Sequence, residues 1–333
     1  MLYMDFIPYN KDKHQNIWDE YVASHPMGCI YHLSAWSDII KETYAWESQF
    51  YLIYISGELK GILPFFKMRS FTQSSYYISM PFTAYAGPLL SFDANINDIF
   101  KTLGWDNEPV IVREFKKEPD PISNVVAMII DLPSEAETLW SGLKKHTRKY
   151  VRRCEKEGYS FHTDGDFFND FMTIYKANLK RLGTPAHPSL FFKKMIEHLP
   201  ENTKIWAIKD GEKVIGTQLA LMYKDYFYNY TGFVLPEYNN KRAGMLMAWE
   251  TIRAAIEMGY KKLDYGRSTP DTGPYNFKLQ WDAKPKALNY YKTLRGKDIK
   301  MGVPQPGKLS KIWTRTPDFL TDFLGPSLRK YVP

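Results

Sequence analysis

The 333-residue sequence predicts an α/β protein built from one unit used twice. Three observations predict it. A strand–turn–strand run, QFYLIYISGELKGILPFFKM at 49–68, returns as TKIWAIKDGEKVIGTQLALM at 203–222. The two lie ~150 residues apart, the spacing of a duplicated supersecondary unit. A helical run at 242–258 closes at Gly259 and feeds a short strand, LDY at 263–265. The chain is also too long for one ordinary core, and its 44% hydrophobic content suffices for two. The expected boundaries are an N-terminal domain over 1–143, a C-terminal domain over 144–300, and a tail over 301–333 that packs back on a domain.

The N-terminal stretch MLYMDFIPYNKDK lacks the apolar core and cleavage site of a leader. The longest apolar runs, such as VVAMII at 125–130, are far too short to span a bilayer. Both features predict a cytoplasmic chain with no stable membrane insertion. In the paired hairpins, Gly57-Glu58 matches Gly211-Glu212, and Gly61 matches Gly216 after a one-residue gap. Asp210-Gly211 is a tight-turn dipeptide. Between the hairpins a single helix is expected. Ser134 and Glu137 form a capping box behind Pro133, and Gly158 stops the helix. Leu139, Leu143, Val151 and Cys154 share its apolar side. Its other side carries Lys144, Lys145, Arg148, Lys149, Arg152, Arg153 and Lys156, either a solvated face or a phosphate-reading surface.

In the second helix, 242–258, Met245, Trp249, Ile252 and Ile256 recur at helical spacing and should face a core. Glu250, Arg253 and Glu257 alternate in charge on its outer side. The stretch that follows, LDYGRSTPDTGPYNFKLQWDAKP at 263–285, leaves a strand end as a loop. It combines Asp264, Arg267 and Lys278 with Tyr275, Phe277 and Trp281. Ligand sites favour such strand ends in α/β sheets.

Composition and motifs exclude several chemistries. The net charge of +7 favours anionic partners such as phosphates, nucleotides or RNA. The two cysteines, Cys29 and Cys154, lack the spacing of a disulfide framework or a zinc site, so no metal is expected. There is no Gly-x-Ser-x-Gly, no His-Glu-x-x-His, no P-loop and no Gly-x-Gly-x-x-Gly. NNKRAG at 239–244 precedes the second helix, where Lys241, Arg242 and the N–H groups near Gly244 form a candidate anion site. It resembles the pyrophosphate loop of GNAT acyltransferases. Leu246, however, stands where a small residue would admit coenzyme A, which weighs against acetyl-CoA.

The segment 238–291 resembles the C-terminal half of the Fem-type peptidyltransferases. It is most similar to the FemAB-related, BioF2-like group associated with exopolysaccharide and exosortase gene clusters. The resemblance rests on Leu263-Asp264-Tyr265-Gly266-Arg267-Ser268, Gly273-Pro274-Tyr275-Asn276-Phe277-Lys278 and Trp281, with Asp282 in place of the usual Gly. ISMPFTAYAGPLL (78–90), KKHTRKYVRRCEKEG (144–158) and KRLGTPAHPSLFF (180–192) agree with it. It implies tandem duplicated GNAT-like domains with a cleft between them. It also implies transfer of an aminoacyl group from a charged tRNA to an amine of a cell-wall or exopolysaccharide precursor, with no metal, no bound cofactor and no covalent enzyme intermediate. The alternatives are an acyl-CoA-dependent N-acyltransferase acting on a nucleotide sugar or polysaccharide precursor, and a non-catalytic binding protein.

Acyl transfer to an amine builds negative charge on the carbonyl oxygen, so an aimed cation lowers the barrier. Lys278 is the candidate, left unpaired for that purpose. The resemblance puts Phe277 against the acyl donor's end. Asp264 is the nearest general base, and His187 is the other titratable option. Asp264 and Arg267 either touch substrate or brace the loop as an ion pair. Tyr275 is either a substrate donor or a packing ring. Tyr228 and Tyr230, opposite Phe227 on one strand, either line the acceptor groove or fill a core. Arg148 and Arg152, with Lys241, Arg242 and Gly244, are the donor-binding candidates.

Overall fold

The computed structural model describes residues 4–115, 124–300 and 308–332. The chain runs β1 (Met4–Pro8), α1 (Lys11–Ser24), α2 (Ala35–Tyr44), β2 (Ser48–Ile55), β3 (Glu58–Arg69), β4 (Ser75–Ser79), β5 (Leu89–Leu90), α3 (Ile96–Thr102) and β6 (Val110–Phe115). β7 (Val126–Asp131), α4 (Ala136–Gly142) and α5 (Lys145–Lys156) follow. The succession then restarts with β8 (Tyr159–His162), α6 (Phe168–Arg181), α7 (Ser189–His198), β9 (Thr203–Asp210), β10 (Lys213–Tyr223), β11 (Tyr226–Val234), α8 (Ala243–Glu257) and β12 (Lys262–Ser268). α9 (Gly273–Leu279), β13 (Lys284–Leu294), β14 (Lys297–Lys300), α10 (Lys308–Arg315) and α11 (Asp318–Arg329) complete it. The order from β1 to β6 recurs from β8 to β12, with β5 as the one addition.

The main sheet has the order β1-β2-β3-β4-β6-β13-β7-β12-β11-β10-β9-β8. It is symmetric about its middle. In each half, antiparallel pairs lead inward to one parallel pair, β4 with β6 and β11 with β12. β7 pairs with β12 and β13 pairs with β6, so each sequence half lends a strand to the other half's sheet. β7 and β13 then pair with each other across the middle.

The duplicated hairpins occupy equivalent positions, β2–β3 in one half and β9–β10 in the other. The matched glycines mark the same device. Lys60 before Gly61 and Ile215 before Gly216 are each the extra residue of a bulge. A neighbouring strand crosses each glycine so closely that a Cβ would lie 2.7 Å from Leu90 or 2.8 Å from Val234.

Helices α1, α2, α6 and α7 cover one face of the sheet, and residues of both halves join there in one apolar cluster. Glu42 of α2 ties this layer to α7 through Lys194 at 2.5 Å and His198 at 3.0 Å. On the other face, α4, α5 and α8 pack over the second half, and α3 packs over the first.

The expected single helix after residue 134 is two helices. Leu143 and Lys144 are extended, and Ser134 caps nothing; Glu135 holds the N-cap position. The break lets Leu139 and Leu143, then Val151 and Cys154, all reach the cluster over α8. At the end of α4, Arg148 donates to Ser141 O at 2.9 Å and to Trp140 O at 3.3 Å, which also accepts from Leu143 N at 3.2 Å. The expected loop of 266–285 also contains α9, begun with Pro274 in its first turn.

Candidate active site

The parallel strands β11 and β12 pair only through Tyr226–Lys262, Phe227–Leu263 and Tyr228–Asp264. Beyond that level both strands bulge. Tyr230 is the extra residue where β11 meets β10. On β12, the three steps from Asp264 to Arg267 match two steps on β7, and Gly266 takes φ +68° inside the bulge. A left-handed residue at a bulge is the position that selects glycine. The strands part there, and a cavity of about 320 Å³ opens between them.

The second half contributes Asn229, Tyr230, Thr231, Tyr265, Gly266, Arg267 and Lys278 to its walls, with His187 beneath. The first half contributes Tyr31, Phe82, Thr83 and Ala84, and the tail contributes Arg329. The cavity thus lies between the two halves. The first-half wall is held by tyrosine hydroxyls: Tyr230 donates to Phe82 O at 3.0 Å, and Tyr290 donates to Ala84 O. Tyr31 meets Tyr85 and Tyr228 edge-on at 5.5 and 5.4 Å. Tyrosine suits a boundary of this kind, because its ring fills the seam and its hydroxyl satisfies loop carbonyls.

Lys278 lines the cavity from α9, but it is not unpaired. Its Nζ donates to Arg267 O at 3.0 Å and Gly266 O at 3.4 Å, the carbonyls that the bulge turns toward it. An ammonium has three donors, so one remains. Burial pulls its pKa down to about 8; the Asp264 carboxylate opposes the fall, and Arg267 adds to it.

Asp264 is only 1% exposed and lies outside the cavity lining. Its carboxylate accepts from the Tyr85 hydroxyl across the seam and from Gly266 N at 2.6 Å. Burial raises its pKa against those two bonds. The expected Asp264–Arg267 ion pair does not form; Arg267 makes no ion pair among the described residues.

The other predicted residues divide. Tyr230 reaches the cavity, whereas Tyr228 is buried in the aromatic seam. Phe277 sits edge-on to Trp281 at 6.3 Å, and both Phe277 and Tyr275 pack on the α8 core rather than on the cavity. Lys241 lies 4.7 Å over the Tyr238 ring and Arg242 lies 5.1 Å over Tyr150, flanking the start of α8. Gly244 faces open space, where an added Cβ would meet nothing within 4 Å. Leu246 points the other way, into the core at 2% exposure, so it does not obstruct a ligand there. On α5, Arg148 caps α4, while Arg152 is exposed and lies 5.6 Å over Trp140. Burial lifts the Cys29 thiol to about 12 and Cys154 to about 11, which leaves both as inert thiols.

Sequence reasoning missed Arg329 and the 82–84 wall. The run ISMPFTAYAGPLL held the wall's signal, a Pro- and Tyr-rich loop; the tail held none.

Residues 141–279 match the family model of the acetyltransferase (GNAT) domain. No curated protein matches the chain. A crystal structure of FemX shares the fold with a TM-score of 0.61 at 13% identity, over 89% of this chain and 97% of that one. L-PGS from Bacillus licheniformis gives 0.55 at 13%, over 90% and 96%. A tandem GNAT protein from the clavulanic acid biosynthesis pathway gives 0.56 at 10%, over 89% and 99%. The fold is a pair of GNAT-like domains, with the family-model match lying mostly on the second half. Among the described residues, no helix is long and apolar enough to cross a membrane.

Proposed function

From a GNAT acyltransferase domain paired with a second copy of its fold, we propose a cytoplasmic transferase that moves an aminoacyl group from tRNA to an amine of a cell-envelope or exopolysaccharide precursor. The observation that carries this reading is the cavity between the halves, where Lys278 is fixed with one donor unassigned. The acceptor amine attacks the ester carbonyl, and a C–N bond forms. The carbonyl oxygen becomes an oxyanion, which the remaining Lys278 N–H stabilises. The C–O bond to the carrier then breaks, and the amine proton leaves with the alkoxide or to solvent. Asp264 serves as a brace between the halves, since its oxygens are engaged by Tyr85 and Gly266. The exposed basic face of α5, with Lys145, Lys149, Arg152 and Lys156, supports an RNA-borne donor.

One observation favours an acyl-CoA donor instead. Leu246 is turned into the core and Gly244 is open, so the steric objection to a pyrophosphate at the start of α8 is gone. Calorimetry with acetyl-CoA beside filter binding with aminoacyl-tRNA separates the two. The tRNA reading expects a log–log salt slope near −0.7 per phosphate contact. Micromolar acetyl-CoA affinity together with salt-indifferent tRNA binding would reverse the order.

A further inference from the structure

Three cations, Arg267, Lys278 and Arg329, line the cavity, and no carboxylate among the described residues lines it with them. Like charges gathered in a partly desolvated space call for a negative ligand.

The tail holds Arg329 in place there. Asp318 and Asp322 of α11 pair with Lys180 and, at 3.3 Å, with Lys176 of α6. Ser310 of α10 donates to Gly183 O at 3.0 Å. That seat requires glycine: residue 183 has φ +72°, and a Cβ would lie 1.9 Å from Ser310 Oγ. At the end of α11, Arg329 Nε donates to His187 Nε2 at 3.0 Å, and its guanidinium lies 5.5 Å over the Phe82 ring. Burial, and then the Arg329 charge, hold the imidazole well below its usual pKa. The neutral ring therefore accepts at Nε2 and donates from Nδ1 to the Tyr44 hydroxyl. The ring fixes one edge of the guanidinium. The two terminal NH2 groups have no protein partner among the described residues.

We infer that the C-terminal helix completes the cavity, and that Arg329 anchors an anionic group of the substrate, a carboxylate or a phosphate, through the free edge of its fork. This rests on the proposed function only in taking the cavity as the place where substrate binds. His187 is a positioning residue.

The test is calorimetric titration of the full chain with sodium phosphate and, separately, with sodium acetate, neither of which needs turnover. Saturable binding of at least one is expected, and which one binds assigns the source of the anion. Arg329→Ala should weaken it about tenfold or more, Arg329→Lys should fall between, and Arg315→Ala, exposed on α10, should match wild type. Should Arg329→Ala fail to fold, Arg329→Lys carries the comparison. Absence of binding by wild type, or equal affinity in the Arg329 variants, overturns the inference. Anion binding with no acyl transfer from any donor would sink the functional reading and leave this one standing.

Discussion

Replacing Lys278 with Met separates a catalytic lysine from a structural one. In the folded chain its pKa falls from 10.5 to about 8, chiefly through burial. At ~1.4 kcal/mol per pH unit, holding that ammonium costs the fold roughly 3 kcal/mol at neutral pH. Its bonds to Gly266 O and Arg267 O return about 1 kcal/mol each. Lys278→Met removes both effects, so stability by urea denaturation should stay within about 1–2 kcal/mol of wild type. Single-turnover acyl transfer should fall by ~10²-fold or more, the effect of losing one oxyanion donor. The sign of the pH dependence adds a second check. Between about 8 and 10.5 the unfolded chain binds this proton more tightly than the folded one, so the charge penalty fades and wild-type stability gains on the variant as pH rises. If the ammonium is the active form, the wild-type rate should decline above about pH 8. A stability loss beyond about 3 kcal/mol, with normal turnover per folded molecule, would refute the catalytic role and make the lysine a structural clamp.

Tyr85→Phe removes the donor that joins the two halves at buried Asp264; a loss of about 1–3 kcal/mol in chemical denaturation is expected, with the melting temperature lowered. Charge reversal on α5 should act differently at neighbouring sites. Arg152→Glu, on the exposed face, should weaken tRNA binding and flatten its salt slope at unchanged stability. Arg148→Glu should instead cost about 1–2 kcal/mol, because it uncaps the Ser141 carbonyl, removes a second donor from Trp140 O and sets a negative charge at the C-terminal end of α4.

Local pattern alone determined much of this protein. The hairpins at 49–68 and 203–222, their matched glycines, and the helix carrying Met245, Trp249, Ile252 and Ile256 all follow from periodicity and turn chemistry within a few residues. Of the stretch after β12, Gly266, Arg267 and Lys278 line the cavity, while Asp264, Tyr275 and Phe277 do not. Tertiary structure decided the rest. The break at Leu143–Lys144, where both residues are extended, leaves Leu139, Leu143, Val151 and Cys154 in the cluster over α8, and the helical spacing of those four residues does not reveal it. Whether Leu246 blocks a ligand depended on which side of α8 faces the sheet, and Asp264's role depended on Tyr85, distant in sequence. The exchange of β7 and β13, and the arrival of Arg329 beside His187, join residues whose separation leaves no periodic trace. Such contacts are set by burial and charge in the folded whole, and no window of sequence contains both partners.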